Sequence, residues 1–166
     1  MKRKIALILC LVMIVAMALG ACGQAKNDKD DGVIKIVFIP QTLGNPYFEA
    51  IDYGFKQAID ELGADKFDYS MTGRAEADAT SQIEYVEAAV QNGADIIFIA
   101  ANSNDALNGT FDDARDAGTK IMLINQDIPG SEDHRDGAVM PCDFSTVGTS
   151  QLELLGSMID YTGEFA

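Results

Sequence analysis

Eight polar side chains could do chemistry together: Gln41, Asn45, Asn102, Asn104, Asp105, Asn125, Gln126 and Asp127. Each follows a short apolar run that reads as a buried strand. In an open parallel sheet all eight would gather on one rim, where the strands end and ligands sit. A carboxylate accepts hydroxyl hydrogens, and a side-chain amide both donates and accepts, so this set suits a neutral polyol. Tyr47 and Phe48 add flat apolar faces that fit the C–H side of a sugar ring. The same residues have plainer uses. Asn45, Asn104 and Asp105 can cap helices, and Tyr47 and Phe48 can fill a core. Asn125 and Asp127 are harder to account for in that way, because a buried strand does not need Asn-Gln-Asp to end it.

Other chemistries find little support. The chain has one histidine, His134, in the charged turn SEDHRD, and three cysteines, Cys10, Cys22 and Cys142. No Ser-His-Asp or Cys-His pair can be placed. Cys142 reads as a small, partly buried side chain. The first strand runs into Pro40-Gln41-Thr42-Leu43-Gly44-Asn45-Pro46, which lacks the glycine spacing of a dinucleotide loop. No zinc spacing, metal site or cofactor is expected, and the chain reads as a binder rather than an enzyme.

The elements that must position the rim are legible as repeated strand–helix units. IKIVFI (residues 34–39) is a nearly continuous apolar run, the pattern of a strand covered on both faces. Asn45-Pro46 then opens a helix, with Phe48, Ile51, Phe55, Ile59 and Leu62 at helical spacing. KFDYS (66–70) is a weaker second strand, and the spacing predicts a helix over 79–91 with Ile83, Val86 and Val90 inward. DIIFIA (95–100) is a third, central strand. Asn102 to Asp105 offers a cap to a helix carrying Leu107, Phe111, Ala114 and Ala117. KIMLI (120–124) is the fourth strand, residues 138–140 a short fifth, and a last helix spans 146–161. Gly63, Gly93 and Gly118 each close a helix just ahead of a strand. The alternation predicts an α/β fold with a doubly wound parallel sheet.

Residues 1–22 stand apart. A basic head (Lys2, Arg3, Lys4) precedes an apolar run over 5–19, the layout of an export signal. It ends Leu19-Gly20-Ala21-Cys22, which resembles the signal of bacterial lipoproteins, so Cys22 is expected to carry lipid and become the mature amino terminus. Residues 23–32 read as a flexible tether. The protein is then expected on the outer face of the cytoplasmic membrane, with a Gram-positive host favoured. The formal charge is −14 at pH 7, more negative still without the basic head, and such a chain repels nucleic acid.

Three blocks, IVFIPQTLGNPYFEAIDYGFKQAIDELGA, NGADIIFIAANSNDAL and AGTKIMLINQDIP, resemble the periplasmic binding proteins of the ribose, rhamnose and autoinducer-2 class, the solute receptors of ABC importers. The resemblance implies a type I fold of two lobes with sugar held between them, acting as a monomer with ABC permease subunits as partners. It places Asn45, Tyr47 and Phe48 at the family's Asn-Pro-aromatic-aromatic sugar contacts. Asp105 falls on the Asp of an asparagine-rich loop, and Asn125 and Asp127 fall on the two acidic positions of a Trp-Asp-Ser-Asp segment. The pattern is broken where Gln41 replaces a Lys, Asn125 replaces the first Asp and Ile124 replaces the Trp. Those changes make the rim more neutral, favouring a pentose, hexose or deoxysugar over the autoinducer. Residues 33–162 are then the amino-terminal lobe, and 163–166 the start of a missing second lobe. The competing readings are an autoinducer-2-type signal receptor, or a membrane-tethered sensory module acting through a protein partner.

Overall fold

The computed structural model describes residues 32–103, 105–141 and 144–162. Cys22 with its leader and tether, Asn104, Cys142 and residues 163–166 lie outside the described residues. Five strands form one parallel sheet: β1 (Ile34–Ile39), β2 (Phe67–Met71), β3 (Ile96–Ile99), β4 (Lys120–Ile124) and β5 (Gly137–Val139), in the order β2-β1-β3-β4-β5. The helices are α1 (Pro46–Leu62), α2 (Ala79–Gln91), α3 (Asn108–Asp116) and α4 (Phe144–Met158). The chain steps outward from β1 to β2, then crosses back over β1 to β3. The order therefore reverses between β1 and β3, the switch point where such sheets open a crevice. This is the doubly wound α/β lobe the alternation predicts.

Successive strand residues point to opposite faces, and here both faces are apolar. Val37, Ile39, Ile97, Ile99, Ile121 and Leu123 pack on one side with Val86 and Ala89 of α2 and Phe111 and Ala114 of α3. Phe38, Ala100 and Ile124 pack on the other with Phe48 of α1, flanked by Ile51, Phe55 and Phe98. Burial on both faces is why these strands read as unbroken apolar runs. Under α1, the buried carboxylate of Asp52 takes hydrogen bonds from the Tyr69 hydroxyl at 2.9 Å and the Lys56 ammonium at 2.6 Å.

Four local expectations need correction. β2 starts at Phe67, because a short 3-10 turn, Ala64–Lys66, takes up the preceding residues. Leu62, expected inward, is exposed at the end of α1. Among the described residues, the loop after β3 does not cap α3. That helix begins after Leu107 with no side-chain cap, while Ser103 and Asp105 bond each other at 3.3 Å ahead of it. The last helix starts at Phe144 rather than 146, and its Val147, Leu152, Leu154, Leu155 and Met158 are exposed. Val139 and Met140, at the end of the edge strand β5, are exposed as well.

Candidate functional site

The register brings the three central strands to a common end: Ile39 pairs with Ile99, and Ile99 with Leu123. The residues that follow emerge side by side. Gln41 donates through Nε2 to the Ala101 carbonyl at 3.1 Å, and Gln126 reaches the same oxygen at 3.5 Å. Asn102 donates through Nδ2 to the Gln41 carbonyl at 3.0 Å. Three amides from three strand ends thus each donate to a backbone carbonyl. The oxygens of the same amides, Gln41 Oε1, Asn102 Oδ1 and Gln126 Oε1, take no part in these bonds and can accept from hydroxyl donors.

A second contact crosses the rim on the α1 side. The Tyr47 hydroxyl donates to Asn125 Oδ1 at 2.7 Å, joining the first turn of α1 to the exit of β4. Asn125 holds this place with φ at 77°, in the left-handed region. Non-glycine residues reach that region at a cost, and such positions cluster at ligand sites. Tyr47 is 43% exposed.

The remaining expected residues are placed differently. Asn45 is the amino-terminal cap of α1, accepting from the Tyr47 N–H at 3.0 Å. Phe48 is only 3% exposed, edge-on to Tyr47 at 5.2 Å and 6.4 Å from Phe38, so its ring belongs to the core. Asp105 is exposed on its turn with Ser103. Asp127 is gripped by Arg135, with Nε to Oδ1 at 2.8 Å and Nη2 to Oδ2 at 2.6 Å, and Oδ1 also takes the Ile128 N–H. That fork ties the ends of the loop between β4 and β5. The structure therefore gathers Gln41, Asn102, Asn125 and Tyr47, together with Gln126. It leaves Phe48 beneath them and turns Asp127 toward its own loop.

Two contributors escaped sequence reasoning. Arg135 is one, since nothing in a lone Arg eight residues past Asp127 advertises a fork. Gln82 of α2 is the other. Its side chain, 3% exposed, donates to the carbonyls of Pro40 at 3.1 Å and Ala100 at 2.9 Å. It also accepts from the Asn102 N–H at 2.8 Å. Its spacing to Val86 and Ala89 puts it on the buried stripe of α2, a signal that a polar residue there has partners inside.

Beside Gln82 lies a narrow crevice with no interior room for a water molecule, lined in part by Gln41, Arg74, Asp78 and Asn102. Pockets that enclose a small molecule run to roughly 300–1,000 Å3, so this part of the rim is a wall rather than an enclosure. At its edge Asp78 caps α2, and bonds from the Ser81 hydroxyl, the Ser81 N–H and the Thr80 N–H hold its carboxyl below the usual carboxylate range. Among the described residues there is no cluster of ligands for a metal ion, and no helix is long and apolar enough to cross a membrane.

Comparison with known proteins follows the same lines. A family described as periplasmic binding protein domain matches residues 36–166. The xylose/arabinose-binding protein of Sulfolobus acidocaldarius is 34% identical over 95 residues, 57% of this chain and 23% of that protein. The D-ribose/D-allose-binding protein of Pseudomonas aeruginosa is 30% identical over 121 residues, 69% of this chain and 37% of that one. A solved sugar ABC transporter structure from Actinomyces odontolyticus superposes with a TM-score of 0.67 at 31% identity, covering 78% of this chain and 40% of the other. The matched chain spans well under half the length of each.

Proposed function

Because the chain belongs to the periplasmic binding protein domain family, and so to binders rather than enzymes, we propose that its strand-end rim is one wall of a site for a neutral sugar, passed on to an ABC importer. The observation that carries this reading is the row of amides on Gln41, Asn102 and Gln126, which donate to backbone and keep their oxygens to accept with. Adjacent ligand hydroxyls can donate to them without bringing charge. The Tyr47–Asn125 contact adds a phenol oxygen and an amide N–H beside the row. Two relatives, one named for xylose and arabinose and one for D-ribose and D-allose, support the same ligand class. A pentose, hexose or deoxysugar fits better than the autoinducer, since the rim presents an amide at Gln41 where the resembling receptors carry a Lys.

The open crevice supports a second lobe closing over this wall, as does the length of the relatives. Closure excludes water and strengthens each polar contact. The lobe is then held outside the cytoplasmic membrane by lipid on Cys22, within reach of a permease. Fatty-acid labelling tests the anchor, and the label should vanish in Cys22→Ala.

The sugar reading is tested by nuclear magnetic resonance titration of residues 33–166 with ribose, xylose, arabinose, rhamnose, galactose and autoinducer-2. One wall leaves much of the ligand in water, where hydrogen bonds gain little. We expect millimolar binding to the best sugar, about −4 kcal/mol, with shifts confined to Gln41, Tyr47, Asn102, Asn125 and Gln126. Rim signals that no sugar moves, or that only the autoinducer moves, would overturn the assignment.

A further inference from the structure

The backbone pairing of β1 and β3 closes with the Ala100 N–H donating to the Ile39 carbonyl at 2.9 Å. One residue further on, the two strand exits are held by a side chain. Gln82 spends both amide hydrogens on the carbonyls of Pro40 and Ala100 and takes the Asn102 N–H on its oxygen. It stands on the stripe of α2 that packs against the sheet, and it is buried. Apolar side chains fill the neighbouring positions of that stripe, Val86 and Ala89. A buried amide is costly unless it is fully partnered, and a fully partnered one fixes the groups it touches. Those groups belong to Pro40, which precedes Gln41, and to Ala100 and Asn102. They are the two exits that flank the reversal of strand order.

We propose that Gln82 is the positioning residue of the rim. It sets the separation of the β1 and β3 exits, and with it the aim of the Gln41 and Asn102 amides, without touching the ligand. The ligand part of this inference rests on the sugar reading. The positioning part does not.

Gln82→Glu separates positioning from bulk. The carboxylate has no hydrogen to offer, so at neutral pH it faces two carbonyl oxygens in a buried place. Both effects raise its pKa. Once protonated, it can donate to one carbonyl and still accept from Asn102. Arg74, Glu76, Asp78 and Tyr85 line the same crevice, and the wild-type protein at each pH controls for their titration. The readout is the side-chain amide signals of Gln41 and Asn102 without ligand. In the variant they should broaden and shift as the pH is raised and the side chain ionises, and return toward wild-type positions on acidification. Sugar affinity should fall about tenfold in the ionised variant, the loss of one to two well-placed hydrogen bonds, and recover over the pH range in which the amide signals do.

Gln82→Met, which fills the space with no polar atoms, should perturb the same two amides at every pH. It decides the matter if Gln82→Glu does not fold at neutral pH. Amide signals that stay at wild-type positions in either variant would overturn the proposal, as would a loss of global stability with an undisturbed rim. If no sugar binds the wild type but the amides still follow pH in Gln82→Glu, the sugar reading falls and the positioning role stands.

Discussion

Asn125 carries two duties that pull against each other. Its backbone sits at φ 77°, which favours glycine, while its side chain must be present to take the Tyr47 hydroxyl. Asn tolerates the left-handed region better than most side chains because its short amide can bond locally. The expected ranking follows. Asn125→Ala keeps the strain and loses the bond, whereas Asn125→Gly loses the bond and sheds the strain. Urea denaturation should find Asn125→Gly more stable than Asn125→Ala by about 1 kcal/mol. Equal stabilities would mean the left-handed geometry is not held in solution. At this scale the sequence is a partial guide. It shows that Asn125 and Gln126 are out of place as mere strand ends, because polar groups straight after a buried run need partners. It does not show which way Asp127 turns, since its fork with Arg135 depends on how the next loop folds back. Phe48 is likewise ambiguous in sequence: a large ring one turn into a helix serves core and ligand equally well, and its packing against Phe38 decides for the core.

Elements were easier to read than their ends. β1, β3 and β4 announce themselves because burial on both faces leaves no polar alternation. β2, an edge strand with alternating exposure, gave a weaker signal. α2 is fixed at its start by Asp78, whose carboxylate takes the Thr80 and Ser81 N–H groups at 3.2 and 3.0 Å. Those bonds are stronger to the charged form, so the folded pKa lies below the unfolded one. The stabilisation is complete above the unfolded carboxylate value, about 3.9, and is lost as pH falls through the lower folded value. Asp78→Ala should therefore lower the denaturation midpoint at neutral pH, and the gap to wild type should close in strong acid. A gap that is constant with pH would show that the cap acts without its charge. Because α2 also carries Gln82, fraying of its first turn should reach the rim.

Across the whole domain, α1 and β2 are knotted together by Tyr69, Asp52 and Lys56. Burial, and then the bond and charge of Asp52, push the Tyr69 hydroxyl far above its ordinary pKa. Folding therefore favours the protonated phenol. Stability is fully present below the unfolded value, about 10, and falls as pH rises beyond it, because the unfolded chain ionises and the folded one does not. Tyr69→Phe should cost about 1 kcal/mol at neutral pH and flatten this alkaline decline. A decline as steep in the variant as in wild type would place its origin elsewhere. The strand order has a consequence of another kind, in time rather than in energy. β1 lies between β2 and β3, yet Ile36 must wait for Ile96 to find its second partner. While the chain is folding, this apolar strand keeps one edge open, and its one charge is Lys35, whose ammonium later caps the Asn92 carbonyl. Such an edge recruits other nascent chains if left waiting. The refolding yield of this domain should therefore fall as protein concentration rises, with the loss appearing as aggregates in a light-scattering measurement.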